Sequence, residues 1–227
     1  MFIVPNINEM DKVIVDHEEP AICKVIVSNH GYQNGTYIIT ASHVYRGMNS
    51  LYGPYHVFSR SSLPNTGWLS RTNLKNANYD LNGVYAGLTT SSFNGTDIYG
   101  EYISISIPYQ AKLCSYEIYG TNINSWILLG SNDDISFDIL DTQERYFENK
   151  TIIPLPIIVM TPLIISSTFE HPAYLTINMS NINITCNINQ SYCFYKIIIT
   201  EVLPLTVKQK INNHPVFINT LNLFHIQ

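Results

Sequence analysis

The sequence predicts an all-β protein, a jelly-roll-like antiparallel β-sandwich, from two features of its centre. Over residues 101–107, Ile103, Ile105 and Ile107 alternate with Tyr102, Ser104 and Ser106, the two-residue period of a half-buried strand. Turn signals then recur at short intervals and enclose runs rich in aromatic and β-branched residues. No helical period interrupts them. About eight core strands are expected, with Ile103, Ile105, Ile107, Trp126, Leu128, Phe137, Ile139, Ile197 and Ile199 inside.

Residues 1–20 mix two apolar triplets (Phe2, Ile3, Val4 and Val13, Ile14, Val15) with Pro5, Pro20 and the acidic Asp16, Glu18 and Glu19. They read as an N-terminal arm or edge element outside the sandwich, with apolar area to bury on a partner; disorder is the alternative. Residues 21–227 read as a single domain without an internal repeat. Strands are expected at 21–28 and 36–42, on either side of the turn NHGYQNG. Residues 59–100 show little period and much Asn, Gly, Ser, Thr and Tyr. Loops of that length are usually functional or disordered, and Trp68, Tyr79, Tyr85, Phe93 and Tyr99 argue for packed ones. The strand at 101–107 is expected to stop at Pro108, which has no amide donor. Further strands are expected at 113–119, 125–129 and 135–140, with a tight polar turn at 130–134. A charged linker at 142–150 leads into an apolar run, 152–165, broken by Pro154, Pro156 and Pro162. That run suits an edge strand or extended segment and is too short to span a bilayer as a helix. Strands at 173–179 and 192–200 and the C-terminal PVFINTLNLFHIQ complete the chain.

The order of these pieces carries a resemblance. In the centre stand GEYISISIP, SYEI, SWILLGSNDD and FDILD; before them come GTYIITAS, YGPYHVF and GWLS; after them come CFYKIIIT and the closing strand. Together they resemble a discoidin-like domain, of the coagulation-factor type C family with its galactose-binding-like sandwich, in the divergent form found in large DNA viruses. The matching pieces span residues 30–227. The resemblance implies that the loops of residues 59–100 sit at one end of the sandwich, where ligands bind. One departure matters. Where the family has Phe-Asp-Gly this chain has Phe58-Ser59-Arg60, so the acidic residue that often helps build a calcium site is missing.

Composition narrows the function classes. The 227 residues are 45% hydrophobic, enough for a core, and only 13% charged. A net charge of −5 with scattered basic residues gives no footprint for nucleic acid. Ile (32), Asn (24) and Ala (6) show a bias toward AT-rich codons. The first residues have no basic start, long apolar core or small-residue cleavage site, so no secretory signal is expected. The N-x-S/T triplets at Asn34, Asn94, Asn149, Asn178, Asn183 and Asn189 are then expected to stay unmodified. Cys23, Cys114, Cys186 and Cys193 lack zinc-site spacing and read as buried free thiols, with a Cys186–Cys193 hairpin bridge as the alternative.

No GxSxG elbow, HExxH helix or phosphate loop is present. Asp133, Asp134, Asp138 and Asp141 invite a carboxylate-pair reading, but the SNDD turn favours solvated turn residues. The seven histidines are dispersed, and a lone one such as His56 or His171 reads as structural. Trp68 and Trp126 suit either sugar stacking or core packing; Trp126 alternates within a strand, and the resemblance implies that Trp68 packs against the core. Tyr79, Tyr85 and Tyr99 in the loops are better contact candidates. Arg60 and Arg71 flank Trp68 and could meet carboxylate or sulfate; with Asn65 they complete the candidate contacts at the loop end. No cofactor and no metal are expected. The sequence therefore points to a non-enzymatic structural or accessory component of a large DNA virus particle, made in the host cytoplasm and working through contacts with other virion proteins. A glycan-binding, lectin-like module is the alternative.

Overall fold

A computed structural model describes residues 3–6, 11–15, 21–27, 34–45, 51–59, 66–70, 78–80, 82–93, 95–121, 123–144, 180–185, 190–203 and 216–225. The larger of its two main sheets has seven strands in the order β1 (Asp11–Val15), β2 (Ala21–Val27), β3 (Gly35–Ala41), β7 (Glu101–Ala111), β12 (Tyr192–Val202), β9 (Ile123–Ser131) and β10 (Phe137–Glu144). The smaller has four, β11 (Ser180–Thr185), β8 (Leu113–Thr121), β13 (Val216–His225) and β4 (Trp68–Ser70). A hairpin, β5 (Thr90–Phe93) and β6 (Thr96–Tyr99), stands apart. Every pair is antiparallel. The helical content among the described residues is a 3₁₀ turn, Pro54–Phe58.

The two main sheets face each other across one core. Ile103, Ile105 and Ile107 of β7 and Ile197 and Ile199 of β12 share a single apolar cluster with Tyr116 and Ile118 of β8 and Ile218, Leu221 and Leu223 of β13. This is the expected sandwich, and the alternation behind it holds: the isoleucines of β7 are buried while Ser104 and Ser106 are not. β9 is buried along almost its whole length. Its inner face meets the core, and its outer face belongs to a second cluster in which Leu129, Ile198 and Phe137 pack against Phe93 and Ile98 of the β5–β6 hairpin. Cover on both faces explains why SWILLG is a continuous apolar run rather than an alternating one.

Several expectations need correction. β7 does not stop at Pro108; it runs to Ala111, with Pro108 exposed. The β7–β12 register shifts between the pairs Tyr192–Ala111 and Phe194–Ser106, and β3 pairs no further along β7 than Ser106, so Pro108 falls where neither neighbour needs its missing donor. Ile139 is 47% exposed. The irregularity between Ile139 and Asp141 in β10 leaves Ile139 opposite Leu129, on the outer face at the sheet edge. Phe137 is buried, but in the outer cluster. The expected linker begins as strand, since Thr142, Gln143 and Glu144 continue β10. The apolar run at 152–165 and the strand expected at 173–179 lie outside the described residues, as does Cys186; Cys23, Cys114 and Cys193 form no disulfide among the described residues.

The N-terminal arm also reads differently. Ile3 and Val4 are buried in the chain's own core. The Ile3 amide donates to the Leu223 carbonyl at 2.8 Å, and the Tyr109 hydroxyl donates to the Ile3 carbonyl. Val13, Ile14 and Val15 lie in β1, which pairs with β2 as the edge strand of the larger sheet. Phe2 is outside the described residues. The apolar area expected to await a partner at Ile3 and Val4 is already covered.

Candidate functional site

Registers place the end of β3, the start of β7, the end of β12 and the start of β9 at one end of the larger sheet, with Ala41 opposite Ile103 and Ile199 opposite both Glu101 and Trp126. Glu101 lies there, 0% exposed. Its position follows from the period of β7: Glu101 precedes Ile103, Ile105 and Ile107 by steps of two, so the strand turns its carboxylate to the core side. A carboxylate on that face must be paired.

Four side chains from two segments meet it. Ser42 donates its hydroxyl to Oε2, and Asn78 donates its amide to Oε1. The His43 Nδ1 lies 3.0 Å and 2.9 Å from the two oxygens; a carboxylate accepts, so this nitrogen carries the proton. The Tyr85 hydroxyl donates to Oε1 at 3.3 Å. Burial, and then the Glu101 charge, push the Tyr79 phenol well above its ordinary range and that of Tyr85 up to about 12. Both hydroxyls therefore stay protonated donors, that of Tyr79 bonded to the Ile199 carbonyl at 2.9 Å.

The loop bearing Asn78, Tyr79 and Tyr85 is itself tightly built. The Asp80 carboxylate accepts the amides of Asn82 and Val84, both at 2.9 Å, in the manner of an Asx turn. Gly83 has φ +86°, and a Cβ there would come within 2.0 Å of the Val202 carbonyl oxygen. The loop joins the end of β12 through Tyr85 N–H to the Thr200 carbonyl and Val202 N–H to the Gly83 carbonyl. His43 is fixed from the other side, because the fully buried Trp68 donates its indole N–H to the His43 carbonyl at 2.8 Å.

The arrangement holds shape and does not suit nucleophilic catalysis. In a serine triad the histidine stands between the hydroxyl and the acid. Here the acid stands between Ser42 and His43, and the Ser42 hydroxyl, itself buried, also accepts the Tyr102 amide at 3.0 Å. Three of the four aspartates considered from sequence have structural partners too. Asp133 caps the β9–β10 turn at the opposite end, where hydrogen bonds from the amides of Ser136 and Ile135 and from the Ser131 hydroxyl lower its carboxyl to about 2. Asp138 accepts the Tyr192 hydroxyl at 2.8 Å. Asp141 accepts the hydroxyl of Tyr116, which in turn accepts the Trp126 indole N–H at 2.9 Å.

Of the candidate contacts, Tyr99 is 53% exposed. Trp68 belongs to the core, as the resemblance implied, and Tyr79 and Tyr85 are buried against Glu101 instead of facing solvent. Arg60, Asn65 and Arg71 lie outside the described residues. Sequence reasoning missed Glu101, Ser42, His43 and Asn78. The signal for Glu101 was present, a carboxylate in phase with three isoleucines; its partners, 58 or more residues before it for Ser42 and His43, left no local trace.

No protein-family model matches the chain, and no curated protein matches it. Several solved structures are similar to it. One is CpGH89CBM32-5 from Clostridium perfringens, in complex with GalNAc-β-1,3-galactose, with a TM-score of 0.46 and 11% identity over 83% of this chain and 94% of that one. Another is the family 32 carbohydrate-binding module from C. perfringens NanJ in complex with galactose, with a TM-score of 0.41 and 10% identity over 82% and 92%. Wild-type discoidin II from Dictyostelium discoideum has a TM-score of 0.43 and 10% identity over 83% and 54%.

Proposed function

We propose that the chain is a non-enzymatic recognition module that binds a saccharide at the loop end organised by Glu101. One observation carries this reading: a fully buried carboxylate fixes side chains from two separate segments, so planar polar groups reach the surface already oriented. His43 keeps 11% of its side chain exposed and Asn78 is half-buried. Saccharides are recognised by such preorganised amide and imidazole groups together with aromatic faces, because little ordering remains to oppose binding. Aromatic surface is at hand in exposed Tyr99 and in the half-buried pair Tyr45 and Tyr52, whose rings lie 5.5 Å apart just beyond His43. For the particle-docking role, the apolar area of Ile3 and Val4 is not free for a partner, since both are buried in the chain's own core.

The test is a broad saccharide array probed with the full chain and with Asn78→Ala and Tyr99→Ala. Binding to a defined class of saccharides, weakened in both variants without loss of folding, is expected. No saccharide binding by the folded wild type overturns the reading.

A further inference from the structure

Glu101 is a fully buried carboxylate surrounded by donors that carry no fixed charge. Its partners are the Ser42 hydroxyl, the Asn78 amide, the Tyr85 hydroxyl and the His43 ring, and no lysine or arginine among the described residues bonds to it. Neutral donors lower the cost of burying a charge, but only an opposite charge cancels it. His43 is the one partner able to carry that charge. Its Nδ1 already lies 3.0 Å and 2.9 Å from the two carboxylate oxygens, so a second proton on the ring completes an ion pair in place.

That second proton goes to Nε2. The backbone of the segment is held on both sides, by the Trp68 indole on the His43 carbonyl and by the Ser42 amide on the Tyr102 carbonyl at 3.0 Å. The Nδ1 edge faces the buried carboxylate, so what the side chain still exposes, 11% of its surface, lies toward the Nε2 side. In the neutral ring Nε2 is an acceptor; in the imidazolium it is a charged donor.

We propose that His43 is a proton sensor for the loop end, and that the site holds its saccharide more tightly in acid than at neutral pH. The proposal rests on the saccharide reading and adds the regulation of that site. Saccharide oxygens accept hydrogen bonds, and a charged donor makes the stronger bond with them. The other titratable groups at this end leave the change to His43. From the Asn78–Ala86 loop, the Tyr79 phenol stands well above its ordinary range and that of Tyr85 is raised to about 12, so both stay neutral donors. Tyr45 and Tyr52, beside His43, add phenols and no charge. Asp80 of the loop and Glu201 of β12 are held by donors of their own, the amides of Asn82 and Val84 and the side chains of Asn124 and Ser125.

The experiment probes the saccharide array with the full chain at about pH 5 and about pH 8, which bracket the ordinary imidazole transition. Half-saturation at an about fivefold lower protein concentration is expected at the lower pH, the margin between a charged and a neutral hydrogen bond. His43→Gln, which keeps a donor for Glu101 without a titrating ring, should bind equally at both. The free chain gives a second readout that needs no ligand: the NMR signal of the His43 ring should titrate between these limits, and in Glu101→Gln it should titrate at lower pH, because the charge that favours the imidazolium is gone. Equal affinity at the two pH values, tighter binding at the higher one, or an acid preference that persists in folded His43→Gln overturns the sensor and leaves the saccharide reading standing. So does a His43 ring that does not titrate between the limits, or that titrates unchanged in Glu101→Gln. Failure of every saccharide at both pH values overturns the saccharide reading, and this inference with it.

Discussion

Replacing Glu101 with Gln probes the structure where it is most specific. The native carboxylate accepts from Ser42, His43, Asn78 and Tyr85. A glutamine offers one acceptor oxygen and an NH2 group; with the oxygen in the Oε1 place His43, Asn78 and Tyr85 keep an acceptor, and the Ser42 hydroxyl is left facing the NH2. A buried donor left without its partner costs about 1–3 kcal/mol, which puts the loss at about 2 kcal/mol. For a domain of this size, each kcal/mol corresponds to about 2–4 °C, so the midpoint should fall by about 4–8 °C. Urea unfolding followed by tryptophan fluorescence suits the measurement, because Trp68 and Trp126 are both fully buried. The transition midpoint should fall with an unchanged m-value. A loss below about 1 kcal/mol would refute the reasoning, since it would mean that water already serves the cluster.

Tyr116→Phe should cost about 2–3 kcal/mol in the same assay, because it strips the acceptor from the buried Trp126 indole and the donor from Asp141. Gly83→Ala should destabilise the chain by about 1–3 kcal/mol and weaken saccharide binding, since its φ of +86° and the Val202 carbonyl leave no place for a Cβ; an unchanged midpoint would contradict the docking of this loop. The third expectation concerns alkali. Tyr85 and Tyr192 are raised from 10.0 to about 12, each by burial first, with Glu101 and Asp138 respectively contributing. Folding holds their protons, so this stability is fully present below pH 10 and is lost as pH rises through about 12. Thermal midpoints should therefore begin to fall above about pH 10, and less steeply in Tyr85→Phe and Tyr192→Phe, which a pH series of melts would check.

Period-two alternation made most of the sandwich legible. It placed Ile103, Ile105 and Ile107 on one face, because burial of one sheet face acts on every second residue. It failed at Ile139 and Pro108, where register irregularities in β10 and β7 changed which face or which donor mattered. The candidate site was less legible. Tyr79 and Tyr85 look like adaptable surface residues in a polar stretch, yet their hydroxyls turn inward to Ile199 and Glu101. Their inward turn depends on a carboxylate 16 or more residues away and on the end of β12, neither of which a local window contains.

The most direct test of the account is backbone amide chemical-shift mapping of the labelled chain during titration with the saccharide that binds best on the array. The account predicts shifts centred on His43, Asn78, Val84 and Tyr99, with the β9–β10 turn around Asp133 at the far end of the sheet undisturbed. Shifts centred on that turn, or on the outer face around Ile26 and Ile38, would contradict it.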